Sequence, residues 1–390
     1  MQHSTPSRWL HAADARLDDL RDVLDQRTDP AICPNAARLL DDVPVYDCRA
    51  LRPRLRDDDA FRHALMGEWA GVWEEGPGIL VLQGALSAPV VDEVSACFRQ
   101  IIDRERSQGS RGDHFAKAGA NDRVWNALEK LCLQDAGAFA RYYANDMLAL
   151  ASEAWLGPAW QLTSQVNNVR PGGVAQTPHR DYHLGFCSAE QAERFPSHVH
   201  RLSPMLTLQA AVAHVDMPLE SGPTLYLPHS QKYLPGYLVA GREEFARHFQ
   251  QHRVQLPLAK GDAVFFNPAL MHAAGDNRSS DIQRMANLLQ VSSAFGRAME
   301  SVDRDRMARQ LYPALLSLLR AGTLAQADAD RVVAAAAEGY AFPTNLDRDP
   351  PLDGLAPASP QAVMRRALQE GWPPERWSAW LDDARHKRLT

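Results

Sequence analysis

The sequence predicts an antiparallel β-sandwich or barrel with helices packed before and after it. From about residue 160 to 291, short runs rich in aliphatic and β-branched residues are separated by clusters of Gly, Pro, Asn and Asp. Short strands with turn signals and no helices between them are typical of an antiparallel sandwich or barrel. The segments on either side, before residue 156 and after residue 300, instead carry apolar residues at helical spacing.

Within the N-terminal part, residues 1–60 are charged and rich in Leu and Ala, which predicts short helices joined by loops. Residues 78–82 form an apolar run after a Gly-Pro-Gly turn and predict a buried strand. Ser87 is a suitable N-cap for the helix that follows, and Pro89 suits the first turn of that helix. Residues 123–156 are predicted to be helical.

The predicted strands of the central part lie at residues 161–170, 205–215, 224–227, 263–266 and 285–291. Residues 300–340 return to a helical pattern, residues 341–360 form a connector rich in Pro and Asp, and two short terminal helices follow. These changes predict three parts, namely an N-terminal helical extension (1–65), a β domain (66–298) and a C-terminal helical extension (299–390).

Composition excludes several classes of function. The chain has 390 residues and a formal net charge of −6, so no basic surface for nucleic acid is expected. No apolar run reaches the roughly 18 residues of a membrane span, and the N-terminus lacks the apolar core of a signal peptide. The five cysteines are scattered and never spaced C-x-x-C, which argues against disulfides and structural zinc. We expect a cytoplasmic monomer or homodimer with a small-molecule substrate.

Potential metal ligands occur in two segments of the β domain. His179 and Asp181 are two positions apart, so in an extended strand their side chains point to the same face. A Gly-Asp turn at residues 261–262 begins an apolar strand that ends at His272. Two imidazoles and one carboxylate are the ligand set that holds non-haem Fe(II) and leaves positions open. Taken singly, each histidine is more often structural than metal-binding.

Two other readings stay open at this stage. His183 makes three potential ligands alternating along one strand with His179 and Asp181, which would suit a hydrolytic zinc site. Three ligands so close along one strand do not converge easily on one ion, so this reading is weaker. A binding protein that keeps the fold without catalysis is the third class, and the intact ligand set argues against it.

The order of motifs resembles the phytanoyl-CoA dioxygenase family of Fe(II)/2-oxoglutarate-dependent oxygenases, on the branch that includes ectoine hydroxylase. The resemblance covers roughly residues 70–295: H-x-D at 179–181, E-x-G-P then P-x-S-x-K across 220–232, the Gly-Asp strand ending at His272, and Arg284 on the next strand. It implies a mainly β fold, a double-stranded β-helix (a cupin-like jelly-roll) with added helices at both ends.

The resemblance also implies a function and a site. Fe(II) would be bound by His179, Asp181 and His272, with 2-oxoglutarate as cosubstrate and O2 as oxidant. The enzyme would hydroxylate an unactivated C–H bond of a small metabolite or natural-product intermediate and release succinate and CO2. Asp181 argues against halogenation, because halogenating relatives lack this carboxylate; desaturation and cyclisation stay open.

By the same resemblance, Arg284 would bind the distal carboxylate of 2-oxoglutarate with its forked guanidinium. Asn168 would also touch the cosubstrate, and His183 and Gln165 are expected at the substrate. Arg284 lies near the long end of the family's spacing from the distal histidine, so Arg278 is a weaker alternative. The chain departs from the family in two further places, where His229-Ser230-Gln231 replaces Gly-Ser-His and Ala274 replaces a common Ser.

Overall fold

The computed structural model describes residues 8–109, 121–183, 185, 187–351 and 354–389. Its eleven strands are β1 Arg38–Leu40, β2 Val43–Asp47, β3 Ile79–Gln83, β4 Asn121–Val124, β5 Gln161–Val169, β6 Thr207–Ala213, β7 Leu225–Tyr226, β8 Val254–Gln255, β9 Ala263–Phe266, β10 His272–Ala273 and β11 Arg284–Ser292. They form two sheets, one of eight strands in the order β1-β2-β3-β9-β6-β11-β5-β4 and one of three in the order β10-β7-β8.

Fifteen α-helices lie in the same described residues. They are α1 Leu17–Leu24, α2 Cys48–Asp57, α3 Asp59–Glu74, α4 Ala88–Ser107, α5 Ala127–Gln134, α6 Ala136–Tyr143, α7 Asp146–Leu156, α8 Ala189–Ala192, α9 Ser197–Met205, α10 Gly236–Val239, α11 Glu243–His252, α12 Arg304–Arg320, α13 Gln326–Ala336, α14 Pro360–Glu370 and α15 Pro374–Arg388. None of these helices is long and apolar enough to cross a membrane.

The two sheets face each other as the layers of a jelly-roll. Pairing is antiparallel throughout, except where β2 runs parallel to β3. Alternate side chains of the large sheet point inward, and Phe266 there meets Tyr226 of the small sheet with ring centroids 5.1 Å apart. Ile79 and Val81 belong to the same inner cluster. The predicted jelly-roll core is therefore confirmed.

The outer face of the large sheet is covered by helices from both ends of the chain. Leu80 and Phe265, the neighbours of inward-facing residues, belong to the main hydrophobic cluster together with Trp73 of α3 and Trp377 of α15. The Trp73 indole N–H also donates to the carbonyl of Phe265 at 3.2 Å. Because one continuous core joins all three predicted parts of the chain, the terminal helices help to hold the sheet that carries the site.

Three features differ from the sequence prediction. The segment predicted as a helical extension also supplies β1 and β2, because Val45 finds its partner in Val81, far along the chain. β4 lies inside the predicted helix 123–156 and pairs with β5. The prediction that no helices interrupt the strands is wrong, since α8 to α11 lie between β5 and β8. The buried face of α11 carries Phe245 and Phe249, which join a cluster on the small sheet.

Candidate active site

The segment that carries His179 and Asp181 is extended, although it pairs with the small sheet at only one point. His179 and His272 form an isolated antiparallel bridge. The His179 N–H donates to the His272 carbonyl at 3.0 Å, and the His272 N–H donates to the His179 carbonyl at 3.1 Å. The Asp181 N–H then donates to the Pro268 carbonyl at 3.1 Å. The main chain itself thus brings the two predicted ligand segments together.

One potential ligand atom from each of His179, Asp181 and His272 lies within 4.8 Å of the others. The His179 Nδ1 lies 3.0 Å from the Thr177 carbonyl, and the His272 Nδ1 lies 2.8 Å from the Leu270 carbonyl. A carbonyl oxygen accepts only, so each Nδ1 carries the proton and each Nε2 keeps its lone pair for a metal. The Nε2 atoms lie 3.9 and 3.7 Å from the Asp181 carboxylate oxygens.

Electrostatics set the protonation states that a metal requires. Burial raises the pKa of Asp181, but the hydrogen bond and charge of His272, the charge of His179 and the amide of Gln209 outweigh burial and hold that pKa well below its ordinary value. Burial, followed by the neighbouring His272, lowers the pKa of His179. Near neutral pH the carboxylate is therefore ionised and the His179 imidazole neutral, which are the forms that bind metal.

Two further residues hold Asp181 and its segment in place, and the sequence analysis missed both. Gln209 on β6 donates its amide Nε2 to the Asp181 carboxylate. Arg180, between the two ligands, points the other way and donates to the carbonyls of Tyr233, at 2.7 Å, and Ser230. Gly236 leaves room for this guanidinium, because a Cβ there would lie 2.0 Å from the Arg180 Cζ.

The three potential ligands line a cavity of about 570 Å³ inside the jelly-roll. Arg284, at the start of β11, lines the same cavity and is 6% exposed. Burial lowers its pKa to about 10, so it stays charged at neutral pH. Among the described residues its guanidinium makes one hydrogen bond, from Nη1 to the Gly275 carbonyl at 3.3 Å, and no ion pair. A buried cation without a counter-ion fits an anionic ligand.

The other predicted cosubstrate residues fall differently. Arg278 is exposed and does not line the cavity. Asn168 is buried on the opposite face of β5, where its amide donates to Asp122 at 3.2 Å and to Gln283 at 3.3 Å. Its neighbour Asn167 lines the cavity instead. Side chains alternate along a strand, so a shift of one residue exchanges the two faces.

The predicted substrate residues also separate. Gln165 lines the cavity, where its Oε1 accepts a hydrogen bond from Arg123 at 2.9 Å. His183 is outside the ligand group and outside the cavity lining. Its Nδ1 lies 2.6 Å from the Thr207 hydroxyl, and its ring packs where a Cβ on Gly296 would lie 2.4 Å away. The structure thus does not bring together the three ligands of the zinc-hydrolase reading.

The departures from the family motif have a local explanation in one case. His229 adopts a left-handed backbone with φ of 69°, a conformation that favours glycine. Its ring lies 3.1 Å from Lys232 Nζ and 3.5 Å from the Thr28 hydroxyl. The next residue, Ser230, accepts a hydrogen bond from the Met271 N–H at 2.8 Å, and so supports the strand that carries His272.

Comparison with known proteins gives a family match. The family model described as phytanoyl-CoA dioxygenase (PhyH) matches residues 75–286, which is more than half of the chain. Among curated proteins, "Dioxygenase trt7" of Aspergillus terreus (strain NIH 2624 / FGSC A1156) is 23% identical over 217 residues, covering 53% of this chain and 67% of the relative.

Solved structures with some similarity include two enzymes of known ligands. The α-ketoglutarate-dependent epimerase SnoN from nogalamycin biosynthesis is 23% identical with a TM-score of 0.42, covering 59% of this chain and 84% of its own. HygX of Streptomyces hygroscopicus, determined with nickel, 2-oxoglutarate and hygromycin B, is 16% identical with a TM-score of 0.41, covering 57% and 85%.

Proposed function

The chain belongs to the phytanoyl-CoA dioxygenase family and is an Fe(II)/2-oxoglutarate-dependent dioxygenase, and on that premise we propose that it hydroxylates an unactivated C–H bond of a small metabolite or natural-product intermediate. One observation carries the proposal. His179, Asp181 and His272 line the same cavity as the buried, counter-ion-free Arg284. The cavity of about 570 Å³ suits the cosubstrate together with a small molecule.

The protein's own groups have distinct tasks in this proposal. His179, Asp181 and His272 hold Fe(II) through Nε2 and carboxylate atoms, and the carbonyls at their Nδ1 atoms fix the ring orientation. When bound, Fe(II) with 2-oxoglutarate and O2 supplies the oxidising power, with succinate and CO2 as products. Arg284 binds the distal carboxylate of the cosubstrate, and a bidentate pair there fixes its orientation.

The remaining polar groups are assigned from their positions. Asn167, rather than Asn168, is the asparagine of β5 that can reach the cosubstrate, because it lines the cavity. Gln165 is a substrate contact, whereas His183 supports the wall through Thr207. The presence of Asp181 favours hydroxylation over halogenation, since its carboxylate occupies the position that a halide would need.

The test is an assay of the protein reconstituted anaerobically with Fe(II) and then given 2-oxoglutarate, O2 and a metabolite panel. We expect one Fe(II) per chain and succinate formation that depends on one class of compound. The product should gain one oxygen atom, labelled when 18O2 is used. A product two mass units lighter than its substrate would replace hydroxylation by desaturation or cyclisation. Bound zinc without any response to 2-oxoglutarate would favour a hydrolase.

A further inference from the structure

The cavity wall contains a buried hydrogen-bond acceptor beside the metal ligands. Gln209 on β6 is 5% exposed and lines the cavity. Its Nε2 donates to the Asp181 carboxylate, and because a carboxylate needs a donor, this contact fixes which end of the amide faces the ligand. The other end, Oε1, is buried without a hydrogen-bond partner. A buried acceptor left unpaired costs free energy, so this atom is suited to a donor from a ligand.

That donor has to come from the substrate or from solvent, because 2-oxoglutarate as a dianion has no hydrogen-bond donor. The inner face of the large sheet places the acceptor well for a substrate. Gln209 pairs with Gln290 of β11 and with Phe266 of β9, and all three line the cavity. Across the sheet, Gln165 presents the opposite end of its amide, since its Oε1 is engaged by Arg123. A ligand here meets amides that both accept and donate.

The charges of the wall exclude one class of substrate. Of the described residues that line the cavity, Asp181 alone carries a carboxylate, whereas Arg123, Arg180 and Arg284 carry guanidinium groups. With Fe(II), Asp181, dianionic 2-oxoglutarate and Arg284 in place, the charges at the metal cancel. No negative charge is then left for an ammonium group, which would also face the remaining guanidinium groups at low effective dielectric. An amine is therefore disfavoured at this site.

Resting on the proposed function, we propose that the substrate is an uncharged molecule with an apolar body that donates a hydroxyl hydrogen bond to the Oε1 of Gln209. The hydroxyl fixes the position of the substrate relative to Asp181 and therefore relative to the metal. The apolar body lies against the inward-facing side chains of the sheets, which include Leu288, Leu256 and Val264. Amines and compounds without a donor bind more weakly.

The test uses four probes on one skeleton: 2-naphthylmethanol, its methyl ether, 2-naphthylmethylamine and 2-naphthoate. Calorimetry under anaerobic conditions gives their dissociation constants for the protein loaded with Fe(II) and 2-oxoglutarate. We expect the alcohol to bind about tenfold more tightly than the ether or the amine, the size of one hydrogen bond to a buried acceptor. Equal binding of alcohol and ether, tighter binding of the amine or naphthoate, or no measurable binding by any probe overturns the proposal.

Variants then locate the effect. Gln209→Lys keeps an N–H donor for Asp181 and lacks the acceptor, so the ratio of alcohol to ether affinity should fall to about one. Gln209→Met serves as a second variant if the lysine protein does not retain Fe(II). Gln176→Met is the matched control, because Gln176 lines the same cavity and makes no side-chain contact with a metal ligand among the described residues. The tenfold ratio should persist there, and its loss would contradict the assignment to Gln209.

The inference and the proposed function fail in different ways. Calorimetry measures binding without turnover, so the order of the four probes does not depend on the reaction. If the order holds but the iron-loaded protein never produces succinate with any hydroxyl-bearing metabolite, the hydroxylase proposal fails and the binding site stands. If succinate forms only with amines, the enzyme is active and the proposed substrate class is wrong.

Discussion

The main chains of His179 and His272 exchange two hydrogen bonds, of 3.0 and 3.1 Å, at the position where their imidazoles approach Asp181. The two residues come from segments that are far apart in the sequence. The same contact therefore joins a loop to the small sheet and brings the ligand atoms together. A metal bound by both histidines would reinforce a link that already exists in the fold.

The first prediction concerns metal and stability. Binding of Fe(II) to the folded state alone should raise the unfolding free energy, by about 2.7 kcal/mol at a free metal concentration 100 times the dissociation constant. Anaerobic thermal unfolding with and without Fe(II) measures this effect. His272→Ala should remove the metal-dependent rise. His183→Ala should retain it, and loss of the rise in that variant would revive the zinc-hydrolase ligand set.

The second prediction concerns the cosubstrate. Arg284→Met removes the buried guanidinium from the cavity, and a lost charged hydrogen-bonding pair corresponds to roughly a 100-fold rise in the apparent KM for 2-oxoglutarate. Initial rates of succinate formation measure that KM. Arg278→Met is the matched control, because Arg278 is exposed and outside the cavity lining. If Arg278→Met raised the KM and Arg284→Met did not, the carboxylate clamp would be reassigned.

The third prediction concerns Arg180 as a positioning residue. Arg180→Met leaves the carbonyls of Ser230 and Tyr233 without their donors, and each buried carbonyl left unpaired costs about 1–3 kcal/mol. We expect a lower unfolding free energy and, at temperatures where the variant is fully folded, weaker Fe(II) binding. Metal affinity is the decisive measurement, because a purely structural role would lower stability and leave that affinity unchanged.

A glycine provides an independent check on Arg180. Gly236→Ala places a Cβ 2.0 Å from the Arg180 Cζ and should displace the guanidinium, so it should weaken Fe(II) binding as Arg180→Met does. Gly241→Ala is the control, since its nearest neighbours lie at 3.9 and 4.0 Å. Normal iron affinity in Gly236→Ala would mean that the anchor does not orient the ligands.

The fourth prediction concerns acid sensitivity away from the metal. Burial, with a smaller contribution from the charge of Arg99, lowers the pKa of His214 from 6.5 to about 3. The ring lies between the Ser95 hydroxyl, at 2.8 Å, and the Tyr142 hydroxyl, at 3.0 Å. Below pH 6.5 the unfolded chain binds a proton at this residue that the folded protein does not bind. His214 therefore costs stability as the pH falls, by up to about 1.4 kcal/mol per pH unit.

Urea unfolding between pH 7.5 and 4.5 measures this dependence. His214→Gln keeps hydrogen-bonding groups for Ser95 and Tyr142 but does not titrate, so its unfolding free energy should fall less steeply with acid than that of the wild type. His11→Gln, at an exposed histidine, should follow the wild-type curve. Parallel curves for the wild type and His214→Gln would show that His214 is not the titrating group.

Much of the architecture could be predicted from local sequence. The Gly-Asp turn before β9 and the apolar runs of β5, β6 and β11 indicate strands because short-range hydrophobic patterns reflect which faces are buried. β2 could not be identified in this way. Its residues become a strand only because β3 offers a parallel edge, and that pairing depends on the whole sheet. The short helices α8 to α11 were hidden for the same reason, since their partners are distant.

The sequence by itself determined the chemistry that the site can offer. The spacing of His179 and Asp181, the strand ending at His272 and the arginine that follows are local features, and residue type alone limits what they can bind. The tertiary structure alone decided which neighbours serve that chemistry. It turned Asn167 rather than Asn168 into the cavity, engaged His183 with Thr207, and brought Gln209 to Asp181. Side-chain direction and long-range contact depend on strand register and packing, which no short motif contains.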